Sequence, residues 1–133
     1  MFRHTVITLG LWAAAMPGAF AEALDAQALL IQQGHFWQAE DKPKRAAESW
    51  EKVLLLDASQ PDALYGLGII AVERGQLPAA QEYLQRLQAI APLPRQALQL
   101  AQDVRLAASA NKQLLEDARL LVDNGEREKA VSV

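Results

Sequence analysis

Cysteine is missing from all 133 residues, which removes disulfides, thiolate catalysis and Cys-ligated metals from consideration. Only two histidines occur, His4 and His35, too few for a multi-histidine metal site within one chain. Basic residues are also scarce. The 13 Lys and Arg against 16 Asp and Glu leave a formal net charge of −3, whereas nucleic-acid binding draws on clustered Lys and Arg. Neither a Gly-rich phosphate loop nor a Ser/His/Asp arrangement can be assembled, so no catalytic site and no cofactor are implied. No apolar run reaches the roughly 20 residues that span a bilayer. What is present is a chain 51% hydrophobic and 22% charged, ordinary for one helical domain.

The first 21 residues read as a signal peptide. Met1-Phe2-Arg3-His4 is a short basic start, and Val6–Met16 is apolar apart from Thr8 and Gly10. Ala19-Phe20-Ala21 then supplies the small-x-small pattern of a cleavage site before Glu22. The expected location is the periplasm, with no membrane span in the mature chain.

From there two blocks are related by a shift of 34 residues. Leu30, Gly34, Ala46, Trp50, Val53 and Leu56 recur as Leu64, Gly68, Ala80, Leu84, Leu87 and Ile90. Large apolar answers large apolar, and small answers small. A 34-residue period built of two helical stretches is the spacing of the tetratricopeptide repeat, a helix–turn–helix unit that stacks into a solenoid. The fold class expected is therefore all-α. Repeat 1 spans 27–60, with a first helix from near Glu22 to Glu40 carrying Leu30, Gln33, Gly34 and Trp37 on its packed stripe. Asp41-Lys42-Pro43 is the turn, and Ala46, Trp50, Val53 and Leu54 form the apolar face of the second helix. Repeat 2 spans 61–94, opened by Pro61, closed at its inner turn by Gly75 and stopped by Pro92 and Pro94.

A third unit appears at a shift of 50, since Leu64, Gly68, Gly75 and Ala80 recur as Leu114, Ala118, Gly125 and Ala130. On that shift 95–110 is an inserted helix and 111–133 an incomplete repeat 3 that turns at Gly125. No polar capping helix follows, so the chain is expected to be a piece of a longer protein.

Tetratricopeptide units bind through the concave surface lined by their first helices. Its inward positions are Ile31, His35 and Gln38 in the first repeat, and Asp62, Tyr65, Ile69 and Glu73 in the second. Leu115, Arg119 and Asp123 are the third repeat's contribution. The groove is mixed and mildly acidic, without the paired Lys and Asn positions of carboxylate-clamping relatives. Glu48/Glu51 and Glu126/Glu128 alternate with Lys52, Arg127 and Lys129, a solvated face rather than an acid/base pair.

Ala28-Leu29-Leu30-Ile31, Trp37, Arg45-Ala46-Ala47-Glu48-Ser49-Trp50 and Pro61-Asp62-Ala63-Leu64-Tyr65-Gly66-Leu67-Gly68 follow the signal segment closely. Together with Ala118-Arg119-Leu120-Leu121, Gly125 and Lys129-Ala130-Val131, they resemble a truncated N-terminal tetratricopeptide segment of the bacterial cellulose-export proteins of the BcsC family. The resemblance implies a periplasmic scaffold ahead of an outer-membrane β-barrel. It also implies protein partners in a cellulose synthase and export complex, with the glucan or peptidoglycan as further candidates. The alternative is a general periplasmic adaptor for envelope assembly or cytochrome maturation; an enzyme is the weakest reading.

Overall fold

Proline punctuates the chain: Pro43, Pro61 and Pro78 lie in the first turns of three helices and Pro94 caps a fourth. A missing N–H costs nothing at such positions. In the computed structural model, which describes residues 17–132, the described residues form five helices and no strand. They are α1 (Pro17–Ala39), α2 (Pro43–Leu56), α3 (Pro61–Glu73), α4 (Leu77–Gln88) and α5 (Arg95–Val131). The apolar part of the expected signal segment, Val6–Met16, lies outside the described residues. α1 begins at Pro17, upstream of the start expected near Glu22.

The 34-residue period is visible in the turns themselves. At the end of α1, Lys42 N–H donates to Trp37 O at 2.9 Å and Asp41 N–H to Gln38 O at 3.1 Å. At the end of α3, Gln76 N–H donates to Ala71 O at 2.8 Å and Gly75 N–H to Val72 O at 3.0 Å. Both are Schellman closures, with a left-handed residue capping the last carbonyls. Asp41 (φ 54°) and Gly75 (φ 72°) are those residues, 34 positions apart in the sequence.

α1 pairs with α2 and α3 with α4, and α3 also packs on α2. One core cluster joins Ala46, Trp50, Val53, Ala63, Leu67 and Ile70; a second joins Leu64, Ala71, Ala80, Leu87, Ala97, Leu100 and Val104. Leu54 and Tyr83 touch both. Small residues set the helix separations. A Cβ on Gly34 would lie 2.5 Å from Trp50 Cε2, and one on Gly66 would meet the same indole from the other side. Trp50 is thus a fully buried slab between two glycines. A Cβ on Gly68 would come within 2.5 Å of Leu100 Cδ2. Ala46 and Ala80, and likewise Val53 and Leu87, are completely buried repeat equivalents. Gln33, expected on the packed stripe, is exposed. Leu56 is 51% exposed, while Val53 and Leu54 of the same turn pack into the core.

α5 departs most from the sequence reading. It is one unbroken helix of 37 residues, with no boundary at Ala110 and no turn at Gly125. Its first three turns bury Ala97, Leu100 and Val104 against α3 and α4, at a shift of 34 from Ala63, Gly66 and Ile70. The segment expected to be an insertion therefore occupies the first-helix place of a third repeat. It then fails to turn for a local reason. Where α1 has Asp41-Lys42-Pro43 and α3 has Gly75-Gln76-Leu77-Pro78, α5 has Ser109-Ala110-Asn111-Lys112, with neither glycine nor proline. Gly125 stays helical because Glu126-Arg127-Glu128-Lys129 are good helix formers, and one interior glycine costs only about 1 kcal/mol.

Candidate functional site

The first helices α1, α3 and the start of α5 stand side by side, and their common face forms a groove. Polar contacts to Asp62 link the three, one of them a hydrogen bond and the other a longer ion-pair contact. His35 Nε2 on α1 lies 3.8 Å from Asp62 Oδ2 on α3, and Gln96 Nε2 on α5 donates to Asp62 Oδ1 at 2.7 Å. The His35 ring also stands edge-on to Trp50 at 4.9 Å, anchoring the groove wall to the core. Asp62 sits in the first turn of α3, where the helix dipole favours its charge.

Two hollows lie on either side of α3. One, of about 230 Å³, is bounded by Gln38, Asp41, Lys42, Pro43, Ile69, Ile70 and Glu73. The other, of about 330 Å³, is bounded by Ile69, Val72, Glu73, Asp103, Leu106 and Ala107. Ile69 and Glu73 are the shared wall. Tyr65 is half-buried one turn away from Ile69. Its hydroxyl pKa is raised from 10.0 by burial first and by the Asp103 carboxylate second.

The structure thus brings His35 and Asp62 together, Gln38 beside Ile69 and Glu73, and Tyr65 into the field of Asp103. Ile31 is half-buried against the Trp50 cluster rather than lining either hollow. Arg119 is not in the groove, which corrects the sequence reading. It is exposed on the distal half of α5 with Glu116 and Asp123, 16 residues or about 24 Å along the helix from Asp103. Leu115 and Asp123 are displaced with it. The third repeat's groove residues are instead Gln96 and Asp103, which sequence reasoning missed. Adding 34 to Asp62 and Ile69 gives these two positions; the shift of 50 concealed them. Among the described residues no group of three or more His, Asp or Glu is placed to hold a metal ion, and no helix is long and apolar enough to cross a membrane.

Residues 38–104 match the sequence profile of the tetratricopeptide repeat family. The whole chain is 50% identical over 134 aligned residues to cellulose synthase operon protein C of Pseudomonas fluorescens (strain SBW25), covering 10% of that protein. The protein of the same name from Xanthomonas axonopodis pv. citri (strain 306) is 35% identical over 106 residues, which is 80% of this chain and 7% of that protein. Among solved structures, the flexible tandem repeat domain of the BcsC component of bacterial cellulose synthase superposes with a TM-score of 0.57 at 24% identity. That match covers 76% of this chain and 46% of the other. The chain spans about a tenth of the length of the curated relatives it matches. The resemblance to the cellulose operon protein extends over the full sequence, while the solved relative supports the helical-repeat fold alone. The matched profile and the 34-residue recurrence of turns and core together show that this chain belongs to the tetratricopeptide-repeat family.

Proposed function

We propose that this segment is a periplasmic scaffold of a cellulose or related exopolysaccharide export apparatus, holding protein partners of the synthase and exporter in register. The observation that carries the reading is the 50% identity, in an alignment that covers the whole chain, to cellulose synthase operon protein C. A repeat fold adds to it, because stacked helix pairs build an extended surface rather than an enclosed catalytic cavity. The basic and apolar start at Met1–Met16 adds the export route. The working surface proposed is the groove, with His35, Gln38, Asp62, Tyr65, Ile69 and Glu73 as contacts. Glucan and peptidoglycan are the other ligands that such a location would present.

Substituting Tyr65, Ile69 and Glu73 together by Ala tests the surface. Tyr65 and Ile69 are half-buried and Glu73 is exposed, so the helices should persist by circular dichroism. Extracellular polymer should fall with synthase activity retained. A folded triple variant that exports normally would remove the groove from the account.

A further inference from the structure

Within the groove reading just proposed, the charges name the kind of partner. The two hollows flanking α3 share one wall, Ile69 and Glu73. Three carboxylates border them, Asp41, Glu73 and Asp103, against the single ammonium of Lys42. Asp62 is already engaged by Gln96 and His35. Glu73 and Asp103 are not: among the described residues neither has a Lys, Arg or His nitrogen within 4.0 Å. Both border the 330 Å³ hollow, whose remaining lining is Ile69, Val72, Leu106 and Ala107. An apolar floor flanked by two unneutralised carboxylates attracts a cation attached to an apolar stem and repels an anion. Asp103 and Glu73 come from different helices, α5 and α3, so folding itself creates the pair.

From this we infer that the groove docks a basic protein segment, one that presents Lys or Arg to Glu73 and Asp103 and small apolar side chains to the hollows on either side of α3. Neighbouring helix axes lie about 8–10 Å apart, and a chain in the polyproline II conformation rises about 3.1 Å per residue with every third side chain on one face. The two apolar side chains are therefore about three residues apart, with the basic residues between them. Exchange of water for a carboxylate partner at each cation makes the affinity depend on salt. The same charges exclude an acidic tail or a free C-terminal carboxylate.

The test uses the whole chain and a nine-residue fluorescein-labelled peptide of repeating leucine-lysine-lysine, followed by fluorescence anisotropy at low salt. Counterparts carry glutamine or glutamate in place of lysine. The lysine peptide should bind, and the glutamate peptide should not. Glu73→Gln and Asp103→Asn should each weaken binding about ten-fold and flatten its salt dependence. Glu116→Gln, on the distal half of α5, should change affinity less than two-fold. Three results would overturn the inference: no binding of the lysine peptide, equal binding of the glutamate peptide, or an equal loss on Glu116→Gln, which marks unspecific attraction. A glutamine peptide that binds as tightly, and is lost on Tyr65→Ala, would also overturn it while leaving the groove in place as a binding surface.

Discussion

Gly34→Ala is the most instructive perturbation, because local propensity and packing pull it in opposite directions. An exposed helical glycine replaced by alanine gains about 0.8–1 kcal/mol. At position 34 the new methyl would lie 2.5 Å from Trp50 Cε2 and 2.7 Å from two further ring atoms, well inside van der Waals contact. The indole cannot retreat, since it is completely buried and Gly66 presses its far side. Overpacking of a rigid ring costs about 1–3 kcal/mol, here at the upper end, so the net loss is about 1–2 kcal/mol. Gly125 is the control: it is helical and a Cβ there meets nothing within 4 Å. Urea unfolding followed by circular dichroism, with a slope of about 2 kcal/mol per molar, should show the Gly34→Ala midpoint falling by roughly 0.5–1 M. In a Trp50→Leu background the added cost of Gly34→Ala should largely vanish, because the ring it collides with is gone. If Gly34→Ala raised the midpoint, the slab packing of Trp50 between two glycines would be wrong.

Two further outcomes follow from burial. Residues 108–131 of α5 are exposed apart from Gly125, while Ala97, Leu100 and Val104 are buried. In a dilute monomer amide exchange should be fast beyond residue 108 and slow around 97–104, because a helix without tertiary packing is marginal; strong protection of the distal half would contradict this. Tyr65 and Tyr83 both have pKa values raised above 10.0, by burial first, with Asp103 adding to Tyr65 and Glu51 adding to Tyr83. A raised acid pKa in the folded state means this stability is present below pH 10 and lost as pH climbs through the folded-state values. Unfolding midpoints should therefore fall at alkaline pH, and substituting both tyrosines by Phe should flatten the decline.

The parts of the fold that are legible in the sequence are those set by backbone chemistry. Pro61 and Gly75 announce a helix start and a helix stop by their own φ preferences, and paired small residues such as Gly34 and Gly68 mark close helix approach. Gly66, whose closeness to Trp50 is as tight, escapes the pattern because its repeat equivalent is Leu100. The third unit deceives for a related reason. Ser109-Ala110-Asn111-Lys112 lacks turn residues, so a helix that begins in register never closes. Recurring Leu, Gly and Ala farther along then imitate a repeat at a shift of 50. Gln96 and Asp103 follow from the same count of 34 applied to Asp62 and Ile69, and the apparent shift of 50 hides them.

The proposed function has this segment serving polymer export by holding partners rather than by making or breaking glycosidic bonds. The most direct measurement removes residues 22–133 from the polypeptide that carries them, then compares synthase activity in isolated inner membranes with glucan outside the cell. Synthesis should be unchanged and extracellular glucan should fall. Export at its normal level after the deletion would contradict the claim and favour a general envelope adaptor.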